Sequence, residues 1–128
     1  MNRKEAIERR AWVVIGPQGS GRSIAQQIAG TYAGLRVTVS WTDITTDFIR
    51  GRVLDQQPSV VIVDEVPAYP TKKDLALLKT LATEQQLLVE RKGKECRLIA
   101  APVFIFVLEP GTESRYYIDS RHFRVVLT

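Results

Sequence analysis

One stretch of sequence decides the fold: Trp12-Val13-Val14-Ile15-Gly16-Pro17-Gln18-Gly19-Ser20-Gly21-Arg22-Ser23. Its residues up to Ile15 are apolar and are β-branched or aromatic, which predicts a buried strand. The glycines that follow predict a turn. Apolar side chains then recur at four-residue spacing, which predicts a helix from Ser23 to about Ala33, ended by Gly34. A strand, a glycine-rich turn and a helix in this order have the spacing of a phosphate-binding loop.

The glycine-rich turn fits a phosphate-binding loop except at Arg22, which stands where lysine is usual. Glycines let backbone amides turn toward phosphate oxygens, and the following helix adds its positive end. The candidate nucleotide-binding residues are Gly16, Pro17, Gln18, Gly19, Ser20, Gly21, Arg22 and Ser23. The hydroxyl of Ser23 would also bind Mg²⁺. The alternative is a glycine-rich turn that binds no ligand.

A pair of acidic residues, Asp64 and Glu65, follows the apolar run Val60-Val61-Ile62-Val63. Mg²⁺ in a phosphate-binding site needs an acidic residue at the end of a neighbouring strand. We therefore expect Asp64 to hold the ion, through water, and Glu65 to polarise an attacking water molecule. The alternative, two solvated acidic residues at a strand end, is common for either motif alone and less so when both occur in this order.

Further apolar runs alternate with helical patterns along the chain. The predicted strands are Arg36 to Trp41, Val60 to Val63, Val103 to Leu108 and Phe123 to Leu127. The predicted helical segments are Thr42 to Asp55 and the residues after Thr71, and Gln86 to Arg97 is predicted as a hairpin that turns at Gly93. Buried strands alternating with helices predict a parallel sheet covered on both faces. We therefore expect an α/β fold, a three-layer sandwich around a mainly parallel sheet of five strands, in a single domain spanning residues 1–128.

Composition restricts the chemistry of this chain of 128 residues. Cys96 is its only cysteine and His122 its only histidine, which excludes a disulfide framework and disfavours a His-based metal centre or triad. The net charge of +4 falls on residues 1–10 and 90–97, each with four basic and two acidic residues. This charge is compatible with a phosphate-bearing partner. Without a leading apolar segment or a membrane-spanning run, the sequence predicts a cytoplasmic protein that does not enter a membrane.

Together these motifs resemble P-loop NTPases of the additional-strand, catalytic-glutamate class, with Gly16–Ser23 as the Walker A motif and Val60–Glu65 as the Walker B motif. A helix around Leu75–Lys79, a basic hairpin and the strand after Ala101 follow in an order similar to that of superfamily 3 helicases and related AAA+ ATPases. The resemblance implies ATP and Mg²⁺ as cofactors. It also implies an ATPase core that acts on nucleic acid.

The same resemblance assigns roles to basic residues further along the chain. It implies that Arg91, Lys92 and Lys94, in the 90–97 hairpin, contact the nucleic-acid backbone. It implies that Arg121 or Arg124, and less favourably Arg115, acts on the nucleotide of a neighbouring subunit, so that the chain forms a homo-oligomer or works with partner proteins in trans. The alternative for each of these residues is an ordinary solvated basic side chain.

Two departures from the pattern leave other functions open. Arg22 is a broad planar fork instead of a compact ammonium, and Glu109 stands after the third apolar strand, where a small polar residue is expected. A catalytically impaired scaffold that binds protein partners is therefore the first alternative. A small nucleotide kinase is the second, although no arginine-rich lid sequence follows Asp64 and Glu65.

Overall fold

The structure, a computed structural model, describes residues 11–17, 19–90 and 93–128. The strands are β1 (Ala11–Ile15), β2 (Arg36–Ser40), β3 (Val60–Asp64), β4 (Gln86–Val89), β5 (Arg97–Ala100), β6 (Val103–Leu108) and β7 (Phe123–Leu127). The helices are α1 (Ser20–Ala29), α2 (Trp41–Thr45), α3 (Asp47–Asp55) and α4 (Lys72–Thr83). Within these ranges no helix is both long and apolar enough to cross a bilayer.

Five strands form one sheet in the order β2-β3-β6-β1-β7, and each neighbouring pair is parallel. β6 therefore lies between β1 and β3. Ile15 lies opposite Leu108 of β6 and Leu127 of β7. At the β2 end of the strand order, Ser40 of β2 lies opposite Asp64 of β3. The carboxyl ends of the strands consequently share one edge of the sheet, which we call the carboxyl edge.

Helices cover both faces of this sheet. On one face, Ala25 and Ala29 of α1 are buried in an apolar cluster with Val14 and Ile62. The other face carries α2, α3, α4 and the β4–β5 hairpin. Their buried side chains in this second cluster are Trp41, Ile44, Leu54, Leu78, Leu81, Leu87, Val89 and Ile99. The predicted α/β class and three-layer sandwich are thereby confirmed.

The strands of the β4–β5 hairpin are antiparallel, and an ion pair and a hydrogen bond join the hairpin to α3. Arg97 Nη2 forms an ion pair with Asp55 Oδ1 at 2.7 Å and donates a hydrogen bond to the Asp55 carbonyl oxygen at 2.9 Å. A Cβ atom on Gly51 would lie 2.5 Å from the backbone oxygen of Glu90. The hairpin can therefore approach α3 this closely only because residue 51 has no side chain.

The start of α4 is defined by a capping box. The Asp74 amide donates to Thr71 Oγ1 at 3.1 Å, and the Thr71 amide donates back to Asp74 Oδ2 at 2.9 Å. Trp41 Nε1 donates to the other oxygen, Asp74 Oδ1, at 2.9 Å. Burial raises the pKa of Asp74, but the hydrogen bonds from Thr71 and Trp41 outweigh it, so this pKa is lowered below 3.8.

Two of the differences between the predicted boundaries and the structure lie between β2 and β3. The predicted helix 42–55 is two helices, because Thr46 has an extended backbone with ψ of 114°. Trp41, expected at the end of a strand, begins α2, since Ser40 Oγ accepts a hydrogen bond from the Asp43 amide at 3.1 Å and caps the helix. Both differences depend on local capping, to which apolar periodicity is insensitive.

Candidate nucleotide-binding site

The glycine-rich loop connects the carboxyl end of β1 to the amino end of α1. The Gly21 amide donates to the Pro17 carbonyl oxygen at 3.3 Å, and the Ser23 amide donates to that of Gly19 at 3.1 Å. These are helical hydrogen bonds, so α1 begins at Ser20 and not at Ser23 as predicted. The positive end of the α1 dipole therefore lies within the loop, at the carboxyl edge.

Each glycine of the loop has its own structural reason. A Cβ atom on Gly16 would lie 1.8 Å from Thr128 Oγ1, and one on Gly21 would lie 3.0 Å from Val107 Cγ1. Gly19 has a φ of 99°, where other residues are strained, although a Cβ atom there would meet nothing within 4 Å. Packing thus accounts for Gly16 and Gly21, whereas Gly19 leaves open space beside the loop.

The residues predicted to bind phosphate and Mg²⁺ meet in an ion pair. Arg22 Nε donates to Asp64 Oδ2 at 2.5 Å, and Arg22 Nη2 contacts the same oxygen. The Glu65 amide donates to the other oxygen, Asp64 Oδ1, at 2.8 Å. The side chain of Arg22 is 50% exposed and that of Asp64 is 15% exposed. Both oxygens of Asp64 are therefore engaged by donors from the protein.

Glu65, predicted to polarise water, adopts a left-handed backbone conformation with φ of 56°. This conformation is uncommon for a residue with a side chain. The turn places Glu65 immediately beyond β3, where it is exposed and lines a cleft beside the glycine-rich loop. Asp64 and Glu65 thus both lie next to the loop, and their roles toward Mg²⁺ and water stay predictions.

The cleft has a volume of about 160 Å³ and opens at the carboxyl edge. Gly16 and Gly19 line it on the loop side, and three acidic residues, Asp64, Glu65 and Glu109, line it as well. Glu109 directly follows β6. These three carboxylates make the lining of the cleft acidic and would repel a bare phosphate anion.

Ser23 is exposed in the first turn of α1, and its helix begins beside Asp64. Among the described residues, no group of three or more histidine, cysteine or acidic side chains could hold a metal ion by itself. Mg²⁺ commonly takes one or two protein ligands and completes its octahedron with water and substrate phosphates. Binding of Mg²⁺ by Ser23 and Asp64 stays a prediction.

The predicted trans-acting arginines lie at the amino end of β7. Arg124 pairs in register with Trp12, and its guanidinium lies 5.0 Å from the centroid of the Trp12 ring. The Arg121 amide donates to Asp119 Oδ1 at 2.9 Å, just before the strand begins. Trp12 is near the amino end of β1, so both arginines lie away from the carboxyl edge and from the loop of their own chain.

Arg115, the weaker of the arginine candidates, lies instead near the segment that follows Glu65. Its Nη1 atom donates to the Ala68 carbonyl oxygen at 3.1 Å, and its guanidinium lies 4.3 Å from the centroid of the Tyr69 ring. The Tyr116 hydroxyl donates to the Pro67 carbonyl oxygen at 2.9 Å. Burial, and then the negative charge of Asp74, raise the pKa of this tyrosine. Residues 115 and 116 therefore hold the segment 67–69, which follows the acidic pair, through hydrogen bonds to its backbone and contact with the Tyr69 ring.

Three predicted site residues, Gln18, Arg91 and Lys92, lie outside the described residues. Lys94, the third basic residue predicted in the hairpin, is described and is exposed. It follows Gly93, whose φ of 70° is compatible with the predicted glycine turn. The structure therefore places Lys94 at the surface beside this turn, and its contact with nucleic acid stays a prediction.

Thr128 is a neighbour of the loop that the sequence did not predict. Its amide donates to the Ile15 carbonyl oxygen at 2.9 Å, and its hydroxyl oxygen lies 3.2 Å from Ser20 Oγ. The parallel pairing of β7 with β1 brings it there. No local pattern in the sequence signals this contact, because 108 positions separate the two hydroxyl groups.

A larger groove, of about 460 Å³, lies between α4 and residues 116–123. Its lining is mostly apolar and includes Leu75, Leu78 and Phe123. Among the described residues, none of those predicted to bind nucleotide or Mg²⁺ lines it. Of these two cavities, the smaller cleft combines the glycine-rich loop with acidic residues.

Comparison with known proteins finds similarity in structure alone. No family model matches the chain, and no curated protein matches it. The apo structure of the NrS-1 C-terminal region (305–718) is similar, with a TM-score of 0.68 and 21% identity over 98% of this chain. An A-form apo structure of the same region has a TM-score of 0.63 and 20% identity over 97% of this chain. At this level of identity the likeness shows the fold.

The chain is much shorter than these similar structures. It covers 31% of the first NrS-1 chain and 30% of the second. A third structure of the region, with a TM-score of 0.58 and 17% identity, is covered to 29%. The fold described above therefore corresponds to about a third of each NrS-1 chain.

Proposed function

We propose that this chain is an ATP-binding domain, related to the cores of superfamily 3 helicases, that hydrolyses ATP and acts on nucleic acid. One arrangement carries the proposal: at the carboxyl edge, Arg22 of the glycine-rich loop contacts Asp64 at the end of β3. β6 lies between the strands that precede these two residues. An inserted strand at this place is what the resemblance to additional-strand P-loop NTPases implies.

Phosphate binding would use the amino end of α1. Its first amides and its dipole favour an anion there, and Gly19 leaves room for one to approach the backbone. The guanidinium of Arg22 is half-exposed and would turn from the Asp64 carboxylate to the phosphates. ATP would thus replace one negative partner of Arg22 with another.

Metal binding would use the Ser23 hydroxyl and the Asp64 carboxylate, once Arg22 has left it. Bound Mg²⁺ supplies positive charge that offsets the charge of the phosphates and of the neighbouring carboxylates. Glu65 would orient the attacking water and accept its proton. Because Glu109 adds a further negative charge to the cleft, we expect ATP to bind with Mg²⁺ and not when EDTA removes it.

Nucleic acid would contact the tip of the 90–97 hairpin, through Lys94 together with Arg91 and Lys92. Neutralising these three residues should weaken binding and reduce its salt dependence, by up to about 3 in the slope of log affinity against log salt. An unchanged slope would remove the hairpin from the proposal.

A neighbouring subunit or a partner protein in trans would complete the nucleotide site. Arg121 and Arg124 lie away from the loop of their own chain, so either could reach only the nucleotide of another chain. Of the two, Arg121 is the better candidate, because Arg124 already stacks on Trp12. Size-exclusion chromatography with and without ATP tests this part of the proposal.

Thermal unfolding tests nucleotide binding directly. ATP with Mg²⁺ at a hundred times its Kd should stabilise the protein by about 2.7 kcal/mol. Arg22→Ala and Asp64→Ala should abolish the shift. Asp47→Ala is the matched control, since it removes the acid of a remote ion pair with Arg50 and should leave the shift intact. No shift with any nucleotide would refute the proposal.

A second candidate function is a catalytically impaired scaffold that binds protein partners. The contact of Arg22 with Asp64 favours it, because it occupies the carboxylate on which Mg²⁺ would depend. Glu109 in the cleft favours it as well. Phosphate release measured with and without single-stranded DNA or RNA separates the two functions: release that is lost in Glu65→Gln would rule out the impaired scaffold.

A further inference from the structure

Thr128 contacts the end of β1 and two residues of the glycine-rich loop, Gly16 and Ser20. Its amide donates to the Ile15 carbonyl oxygen at 2.9 Å, which extends the pairing of β7 with β1 by one residue. Its hydroxyl oxygen lies 3.2 Å from Ser20 Oγ. Its hydroxyl oxygen also lies 1.8 Å from the position that a Cβ atom on Gly16 would occupy, so it blocks a side chain at residue 16. The side chain is therefore wedged between the first and fifth residues of the loop.

The hydroxyl groups of Thr128 and Ser20 each have one proton to donate. Ser20 Oγ lies 3.1 Å from the Pro17 carbonyl oxygen, whereas Thr128 Oγ1 lies 3.4 Å from that of Ile15. If Thr128 donates to Ser20 and Ser20 donates to Pro17, the two hydrogen bonds have the shorter distances, 3.2 and 3.1 Å, and the 3.4 Å contact with Ile15 is not needed. A chain of two hydrogen bonds then runs from the end of β7 into the turn of the loop.

The Pro17 carbonyl oxygen is the end of this chain of hydrogen bonds, and it also accepts from the Gly21 amide at 3.3 Å. A carbonyl oxygen held by donors within the loop is not directed toward an approaching anion. Phosphate oxygens are attracted by amides and repelled by carbonyl oxygens. Fixing this carbonyl therefore favours a loop conformation that can accept a phosphate.

From these contacts we infer that Thr128 is a positioning residue for the glycine-rich loop. It holds Ser20, and through it Pro17, in the conformation in which the loop would bind phosphate. This inference rests on the proposed nucleotide binding by the same loop. It assigns a role in the site to a residue beyond the last strand, distant in sequence from every predicted site residue of the loop.

The hydroxyl is tested by two substitutions of Thr128. Thr128→Val keeps the shape but removes the donor, and Thr128→Ser keeps the donor. In nucleotide-free protein, Thr128→Val should speed hydrogen exchange of the Gly21 amide about fivefold, the effect of one net hydrogen bond, while the global melting temperature stays unchanged. Thr128→Ser should restore slow exchange. Thr31→Val is the control and should leave Gly21 unaffected; it removes a hydroxyl, just beyond the end of α1, that donates to the Ile28 carbonyl oxygen.

The close packing of Thr128 against Gly16 is tested by a double-mutant cycle of these two residues. No left-handed conformation requires glycine at residue 16, so Thr128 is the main obstacle to a side chain there. Gly16→Ala should lower the melting temperature and weaken ATP binding at least tenfold, as estimated for a severe clash. Adding Thr128→Gly removes the clash and should recover most of both losses.

The two sets of measurements separate the possible failures. If the wild-type chain binds no ATP, the proposed function is wrong, and hydrogen exchange with the Gly16 cycle still decides the role of Thr128. If ATP binds about three- to tenfold more weakly to Thr128→Val and normally to Thr128→Ser, the positioning role is supported. Unchanged exchange in Thr128→Val, or a Gly16→Ala loss that Thr128→Gly does not reduce, would overturn it.

Discussion

Arg22 Nε donates a hydrogen bond to Asp64 Oδ2 at 2.5 Å, across the gap between the glycine-rich loop and the end of β3. The two side chains predicted to bind phosphate and metal thus bind each other. Since Arg22 is half-exposed, a pair of this kind stabilises the fold by about 1 kcal/mol or less. A nucleotide with Mg²⁺ could therefore separate the two residues at little cost.

Arg22→Lys tests whether the planar guanidinium limits hydrolysis. Lysine is a compact point charge, the residue usual at this position in phosphate-binding loops. We expect Arg22→Lys to keep the affinity for ATP and to raise single-turnover phosphate release roughly a hundredfold, the scale on which a misplacement of about 1 Å acts. Arg22→Ala is the control that should lose both binding and release. Slower release in Arg22→Lys would show that the guanidinium is the better fit.

Glu109→Gln tests the negative charge of the cleft. Glu109 lines the cleft with Asp64 and Glu65, so its removal should reduce the repulsion of the phosphates. We expect the affinity for ATP with Mg²⁺ to rise about two- to fivefold at low salt, and less at high salt, where the charge is screened. Glu84→Gln, at the carboxyl end of α4, is the remote control. Isothermal titration calorimetry measures the affinity of both variants for ATP with Mg²⁺. An affinity of Glu109→Gln equal to that of the wild type would contradict the prediction.

Asp74→Asn tests the capping box through pH. The pKa of Asp74 in the folded protein is lowered below 3.8, so its carboxylate stabilises the fold above that pH. This contribution is lost as the pH falls through the lowered pKa. At pH 7 the substitution should cost about 1 kcal/mol of unfolding free energy, typical of a helix cap. Denaturation at several pH values should show the difference from wild type shrinking in acid, and a constant difference would refute the prediction.

Gly51→Ala tests the contact between α3 and the hairpin. The added Cβ atom would lie 2.5 Å from the Glu90 backbone oxygen, which no rotamer change can move. The hairpin must shift, and we expect a cost of about 1–3 kcal/mol, as for overpacking. Gly30→Ala is the matched control, because its Cβ atom would meet backbone oxygens at 3.4 and 3.5 Å in a helical conformation. Chemical denaturation should show little loss of unfolding free energy for Gly30→Ala. Equal losses in the two variants would contradict a close contact between Gly51 and the hairpin.

Much of the site was predictable because its parts are local in sequence. The apolar run that ends at Ile15, the glycine spacing after it and the acidic pair after Val63 are each read within a few residues. Burial patterns also predicted the parallel sheet with helices on both faces, since fully apolar strands must be covered twice. Helix boundaries were predicted less well, because capping by Ser40 and the extended backbone of Thr46 are set by single hydrogen bonds and dihedral angles.

The sequence by itself determined the five strands of the parallel sheet, which loop resembles a phosphate-binding loop and which acidic residues follow a buried strand. The tertiary structure alone decided that β6 lies between β1 and β3, that Arg22 meets Asp64, and that Thr128 closes on Gly16. The physical reason is that periodicity reports how a segment is buried and not which segment it pairs with. The contacts that shape this site join residues 42 and 108 positions apart, and only the register of the sheet brings them together.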